Sequence, residues 1–275
     1  MLFFLLLLHS QDKNGLDKSR KEAMKKIVNP KYESLSAWLD KLADAEYFES
    51  HGEVLHQGRN VIKRFQVGET VVVVKRYGHF TAFNRVMYST VRQSKAMRAY
   101  RYAERLGKLG ISTPEEIAVV ETFKGGLLQD TYFVSAHTSL PSLAFVRDFS
   151  SGRQEMYPLL DALSAWLVSL HDKGVCHNDL NVSNILYAQA PDGTFTFQLI
   201  DNNRMTFRPA LSMNERLKDL SRLSTNFELY HYVLSRYVRL MGCTDNEDLL
   251  KGYFYKVMLE CRQLGKRKMK QAFLM

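Results

Sequence analysis

Asp179, Asn184 and Asp201 have the types and spacing that phosphoryl transfer demands. The run HNDLNVSNILY at residues 177–187 sets Asp179 and Asn184 five residues apart, and a later LID ends at Asp201. Moving a phosphoryl group asks little covalent chemistry of a protein. It asks that the nucleophile be positioned and that the phosphate charge be neutralised by cations. Magnesium takes a few oxygen ligands besides phosphate oxygens. Asn184 and Asp201 stand at the two ends of a short predicted hairpin and can converge on one such ion. Asp179, in the loop ahead of the hairpin, can face an acceptor hydroxyl.

The surrounding sequence supplies the elements to hold these groups. Residues 34–45 carry apolar positions at helical spacing after Ser34, a candidate cap. Residues 60–66 and the β-branched run TVVVVKRY at 70–77 read as strands on either side of Gly68. A helix is predicted over 94–109, and Thr113 with Pro114 breaks the chain away from it. Two more strands follow, at 117–122 and 131–137. From about 140 the character turns helical. A long amphipathic helix is predicted at 156–173, a loop at 175–184, and a hairpin of 185–187 with 195–200 about the turn Pro191, Asp192, Gly193. Further helices are expected at 214–225, 226–240 and 246–263. Lys75, closing VVVVK, by itself reads as a lysine near a strand end.

The chain has 275 residues, enough for one large domain or two lobes sharing a cleft. A hydrophobic share of 45% is that of an ordinary globular protein. The net charge of +9 favours anionic partners without choosing among them. Three cysteines, Cys176, Cys243 and Cys261, give neither a disulfide framework nor a metal cluster, so reduced thiols of a cytoplasmic protein are expected. The apolar run at residues 1–8 is too short to span a bilayer and lacks the marks of a signal peptide. MKKIVNP at Met24 reads as a natural start, which would make residues 1–23 a non-native or disordered extension. Lys266, Arg267 and Lys268 read as a solvated helix end, with a membrane-surface patch as the minority reading.

The spacing of His177, Asp179 and Asn184, followed by Asp201, resembles the H-R-D-x-x-x-x-N catalytic loop and the metal-binding segment of protein kinases. The resemblance implies an α+β, bilobal protein-kinase-like fold. Its antiparallel-sheet N-lobe would span 24–138, and its mainly helical C-lobe, with the catalytic loop, 139–275. It implies Asp179 as catalytic base, His177 as a brace of the loop, Asn184 and Asp201 as magnesium ligands, and Lys75 on the nucleotide phosphates. Asp201 is followed by Asn202 and Asn203 rather than Phe-Gly, no A-P-E element follows, and the way to the next helix is short. A compact acceptor such as a sugar fits that brevity better than a protein.

GRNVIK near 58–63, VVVVKRY, GISTPEEIA, LHDKGVCHNDLNVSNILY and LIDNNRMTF together resemble the lipopolysaccharide core kinases, the Kdo/WaaP family, over about 55–225. That resemblance implies ATP- and Mg2+-dependent phosphorylation of a lipid-linked sugar hydroxyl, Kdo first among the candidates. The place implied is the cytoplasmic face of a Gram-negative inner membrane, with peripheral contact with its surface and no nucleic-acid partner. Another small-molecule kinase, an atypical protein kinase and a nucleotide-binding pseudokinase stay open.

Several residues have competing assignments. The acid expected to pair with Lys75 would fall near Ala99. Glu104 is the nearest, five residues or roughly 140° further round a helix, and is either that partner or an exposed helix charge. Arg59, beside Gly58, can reach a phosphate or simply close a turn. Arg204 can meet the acceptor or a local carboxylate. Asp219 and Arg222 read as an internal bridge beneath the loop, His171 as a helix-end cap, and Cys176 as a small buried thiol.

Overall fold

The computed structural model describes residues 22–78, 87, 92–243 and 246–272. Strand β1 (Glu22–Val28) leads into short helical turns that include α1 (Ser36–Leu39) and α2 (Ala45–Ser50). The hairpin β2 (Glu53–Gln57) and β3 (Asn60–Val67) precedes β4 (Thr70–Tyr77), α3 (Lys95–Lys108), β5 (Glu116–Lys124) and β6 (Leu127–Ala136). The six strands pair antiparallel in the order β1-β5-β6-β4-β3-β2. This is the expected α+β arrangement, with the sheet in the first half and helices in the second.

Strand β4 shows why the sheet has two uses. Side chains alternate across a strand. Val72 and Val74 point into the core beneath Leu35, Leu39, Leu42 and Phe48, the apolar residues of the turns over 30–50. Val73 and Lys75 point the other way, into a cleft. Further along that face Tyr77 packs with Ala96 and Met97 of α3. Lys63 of β3 is buried, and its ammonium donates to the carbonyls of Phe48, Glu49 and His51 at 2.6, 2.7 and 3.0 Å. The last turn of α2 is thereby capped by a cation, as its dipole favours.

The second half begins with α4 (Tyr157–Asp172), then β7 (Val175–Cys176), the hairpin β8 (Ile185–Gln189) and β9 (Phe195–Leu199), and β10 (Thr206–Phe207), which pairs with β7. Helices α5 (Met213–Leu220), α6 (Phe227–Leu240) and α7 (Glu247–Ala272) complete it. Their core gathers Leu160, Leu163 and Leu167 of α4 with Val233, Leu234 and Tyr237 of α6. Among the described residues no helix is long and apolar enough to cross a membrane.

Three outcomes differ from the sequence reading. The helix expected at 34–45 is a chain of 3-10 turns with one α-helical turn, α1, and Pro30 heads the first of them. Strand β1 takes in Glu22 and Ala23, which pair with Lys124 and Phe123, two residues from the stretch expected to lie outside the fold. Residues 1–21 of that stretch lie outside the described residues. Helix α7 runs on from the expected 263 to Ala272 and carries the basic run within it.

Gly174, between α4 and β7, has φ +72°, and a Cβ added there would meet the carbonyl oxygen of Arg208 at 1.8 Å. Gly174→Ala combines left-handed strain with a backbone clash and should cost on the order of 3 kcal/mol in urea unfolding. Gly68→Ala, at φ +58° with open space around it, should cost about 1 kcal/mol.

Candidate active site

Between the sheet and the helical half lies a cavity of about 360 Å³. Leu55 and Ile62 of the β2–β3 hairpin, Val73, Phe133 and Leu186 make most of it apolar, and 136–138 and Leu140 line the side where the two halves join. Lys75, Asn184, Asp201 and Asn202 make one part polar. A mostly apolar cavity with a few convergent polar groups is the usual form of a small-molecule site. Lys75 reaches this part because β4 pairs it with Ile62 on one side and Phe133 on the other.

The carboxylate of Asp201 accepts from Lys75 at 2.6 Å and from Asn203 at 2.5 Å. Burial would raise the Asp201 carboxyl, but the Lys75 ammonium, with His177 and Arg204 beyond it, holds it below the ordinary carboxylate range. Asn184 donates its amide hydrogen to the backbone oxygen of Asp179 at 2.9 Å. That fixes the orientation of the amide. Arg204 lies 3.3 Å from the Asp179 carboxylate. The local carboxylate among its two expected partners is therefore Asp179 itself.

Two non-glycine residues among those described have positive φ, Asn178 at 60° and Asp201 at 58°. Strain of this kind persists only where surroundings over-determine it. At Asn178 they do so through Asp219. Its carboxylate accepts from the backbone N–H of His177 and of Asn178, both at 2.7 Å. His171 approaches the same carboxylate at 3.5 Å and meets the Tyr237 hydroxyl at 2.8 Å. Asp219 is wholly buried. Burial would raise its carboxyl, yet the bonds and charge of His171 and the His177 amide hold it below the usual value. The His177 ring is buried and bonds the carbonyl of Ile200 at 3.1 Å, tying the loop to the residue before Asp201.

The donor set suits magnesium as a guest on a phosphate. Among the described residues no group of three or more His, Cys, Asp or Glu could hold a metal by itself. One amide oxygen and one carboxylate are what an ion sharing phosphate oxygens and water requires.

A model of the lipopolysaccharide kinase (Kdo/WaaP) family matches residues 57–253. The chain belongs to this family. As a member of the Kdo/WaaP kinases it is a phosphotransferase of lipopolysaccharide core biosynthesis, and a kinase family implies the use of ATP. A solved structure of WaaP in complex with acyl carrier protein is 17% identical. The match covers 86% of this chain and 98% of that one, at a TM-score of 0.54. A Rio2 kinase–ADP/Mg2+-phosphoaspartate complex from Chaetomium thermophilum is also 17% identical, with 83% and 77% covered and a TM-score of 0.45. No curated protein matches the sequence.

Three of the residues singled out in this Kdo/WaaP kinase are placed differently from expectation. Glu104 does not meet Lys75. It pairs with Lys108 one turn further along the exposed face of α3, because the helix turns the buried Ala99 and Ala103 toward the interior. The partner of Lys75 is Asp201. His171 is no helix-end cap but a buried link between Asp219 and Tyr237. Asp219 braces the loop through backbone amides rather than through Arg222. Cys176 is buried as expected, and burial pushes its thiol up to about 12. Arg59 sits in the β2–β3 turn, outside the residues lining the cavity. Its charge does bear on Lys95 of α3. Burial and the cations Arg59, Arg204, Arg98 and Lys75 hold the Lys95 ammonium below its ordinary range. Where a carboxylate was expected, α3 thus carries the cations Lys95 and Arg98. Lys95 has no motif of its own, and only its place on the first turn after Ser94 could have drawn notice.

A depressed carboxyl stabilises the fold above its ordinary value of 3.8 and loses that contribution as pH falls through its folded value. Asp219→Asn should therefore be less stable at pH 7, by about 3 kcal/mol for a broken buried network. It should also lose less stability than the parent between pH 4 and 2. Urea unfolding across that range measures both effects.

Proposed function

We propose that this chain transfers the γ-phosphoryl group of ATP to a sugar hydroxyl of the lipopolysaccharide inner core, with Kdo as the first acceptor to test. The observation that supports it most is the convergence of Lys75, Asn184 and Asp201 on one cleft, with Asp179 bonded to Asn184 through its backbone. In this reading residues 24–138 hold the nucleotide and 139–275 supply the loop. Leu55, Ile62, Val73 and Leu186 take the base. Lys75 and Lys95, with Arg59 from the hairpin turn, face the phosphates. A magnesium ion on Asn184 and Asp201 would supply charge neutralisation for the transferred group.

Asp179 accepts the proton of the attacking hydroxyl and orients it, and His177 holds the loop without touching substrate. Arg204 neutralises Asp179 in the resting site and is free to turn to the transferred phosphate, whose charge is the greater. Residues 202–212 are all that separate Asp201 from α5. No platform for a peptide is built there, which supports a compact acceptor. The ATP chemistry fits a cytoplasmic enzyme meeting its lipid-linked substrate at the inner face of the membrane.

Asp179→Ala should abolish transfer, by roughly a thousandfold or more, while magnesium-ATP binding stays within about twofold by calorimetry. Retained turnover would refute the base. Asp201→Ala should remove the magnesium dependence of nucleotide binding. For the acceptor, mass spectrometry of lipid A–core from a deletion strain should show one inner-core phosphate missing. An unchanged core would reject the assignment. ATP entering the cation cluster should raise the Lys95 ammonium toward its ordinary range, seen as proton uptake on binding at alkaline pH.

A further inference from the structure

Helix α7 is 26 residues long and its two faces differ. Gly252 packs so tightly on α6 that an added Cβ would meet the Leu234 side chain at 2.6 Å, and Lys256 is buried with a bond to the carbonyl of Ser224. The opposite face carries Leu250, Phe254, Val257, Cys261 and Leu264, at intervals of four, three, four and three residues. Such spacing keeps them in one stripe. Over this stripe Leu250, Phe254, Val257 and Leu264 are 65, 59, 53 and 53% exposed, and Cys261 is exposed as well. The stripe is about 21 Å long at 1.5 Å per residue. Past residue 261 every described side chain of the helix is exposed. There the sequence holds Arg262, Lys266, Arg267, Lys268 and Lys270 and no acid.

We propose that α7 lies on the surface of a bilayer containing anionic lipid, its apolar stripe set into the interface and its basic end over the headgroups. An amphipathic helix with a cationic polar face binds membranes in this way. A run of Lys266, Arg267 and Lys268 alone would be a solvated helix end. The apolar stripe leading into it changes that reading, because water is a poor neighbour for four large side chains in a row. The charge also selects the occupant. A second copy docked in parallel would set five cations against five, whereas anionic lipid complements them.

The inner flank of the same helix gives the seating a purpose. Tyr255 and Met258, with Phe254 at the edge shared with the stripe, form one wall of a groove of about 440 Å³ whose other wall includes Asn178, Arg208 and Arg222. Asn178 precedes Asp179. A helix resting on the bilayer therefore opens this groove at the membrane surface, where an anionic amphiphile can reach the loop without leaving the lipid. The proposal rests on the reading that the acceptor is lipid-linked.

The test is co-sedimentation of the full chain, without nucleotide, with phosphatidylglycerol-containing and with pure phosphatidylcholine vesicles. The parent should bind the anionic vesicles and release them with added salt. Lys266→Gln/Arg267→Gln/Lys268→Gln should weaken binding on the order of a hundredfold. Val257→Asp and Leu264→Asp should each weaken it about tenfold or more. Unfolding transitions of every variant establish that it is folded, and the triple variant lies wholly on exposed helix. Equal binding by parent and variants, or no binding to either vesicle, overturns the proposal. So does a dimer in light scattering that Leu264→Asp dissolves, which would give the stripe to a second copy. Vesicle binding is read without ATP, so it can fail while Asp179→Ala still abolishes transfer, and the reverse.

Discussion

A single buried carboxylate sets the shape of the loop on which the chemistry depends. Asp219 stands on α5, accepts from two successive amides, and so holds Asn178 in a left-handed conformation, which the Asn178 side chain supports by donating to the Arg204 carbonyl and the Thr206 hydroxyl. The residue after that bend is Asp179. Removing a charge from water is costly, and here it is offset by two short amide bonds and by His171, itself held by Tyr237 of α6. The order runs inward to outward: helix packing orients a tyrosine, the tyrosine orients a histidine, and both serve the carboxylate that bends the loop.

Much of this could be read from residues alone. Alternation in TVVVVKRY settles which face Lys75 takes, and Gly174 and Gly193 mark ends that only glycine tolerates. The constellation of Asp179, Asn184 and Asp201 follows from spacing. Strands β1 and β2 escaped because neither shows a period of burial. Every residue of β2 is exposed, and β1 pairs on one side only. Their strand character comes from the partner, not from their own pattern. The 34–45 segment reads as one helix by spacing, but the chain there runs as a 3-10 turn ending at Leu35, one α-helical turn over Ser36–Leu39 and a second 3-10 turn over Asp40–Ala43, each burying its leucine against the sheet.

The site itself was legible where chemistry is carried by one residue type at a fixed interval, and illegible where it is carried by geometry between elements. Glu104 has the right charge and the wrong azimuth, and no count along the chain reveals that Asp201 supplies the carboxylate beside Lys75. The cations gathered by Lys95, Arg59, Arg98 and Arg204 come from three separate stretches. Each alone resembles any surface charge. Together they act on one another strongly enough to hold the Lys95 ammonium below its ordinary range.

Lys63 anchors the strand behind the cleft's roof to three carbonyls at the end of α2. The roof hairpin and the turns covering the back of the sheet are thereby joined at a point far from any substrate. Those bonds tie down the base of the hairpin and do not reach its tip at Gly58 and Arg59. A hairpin tied at its root leaves few residues to be ordered when its tip meets another molecule, which keeps the entropy lost in any such contact small.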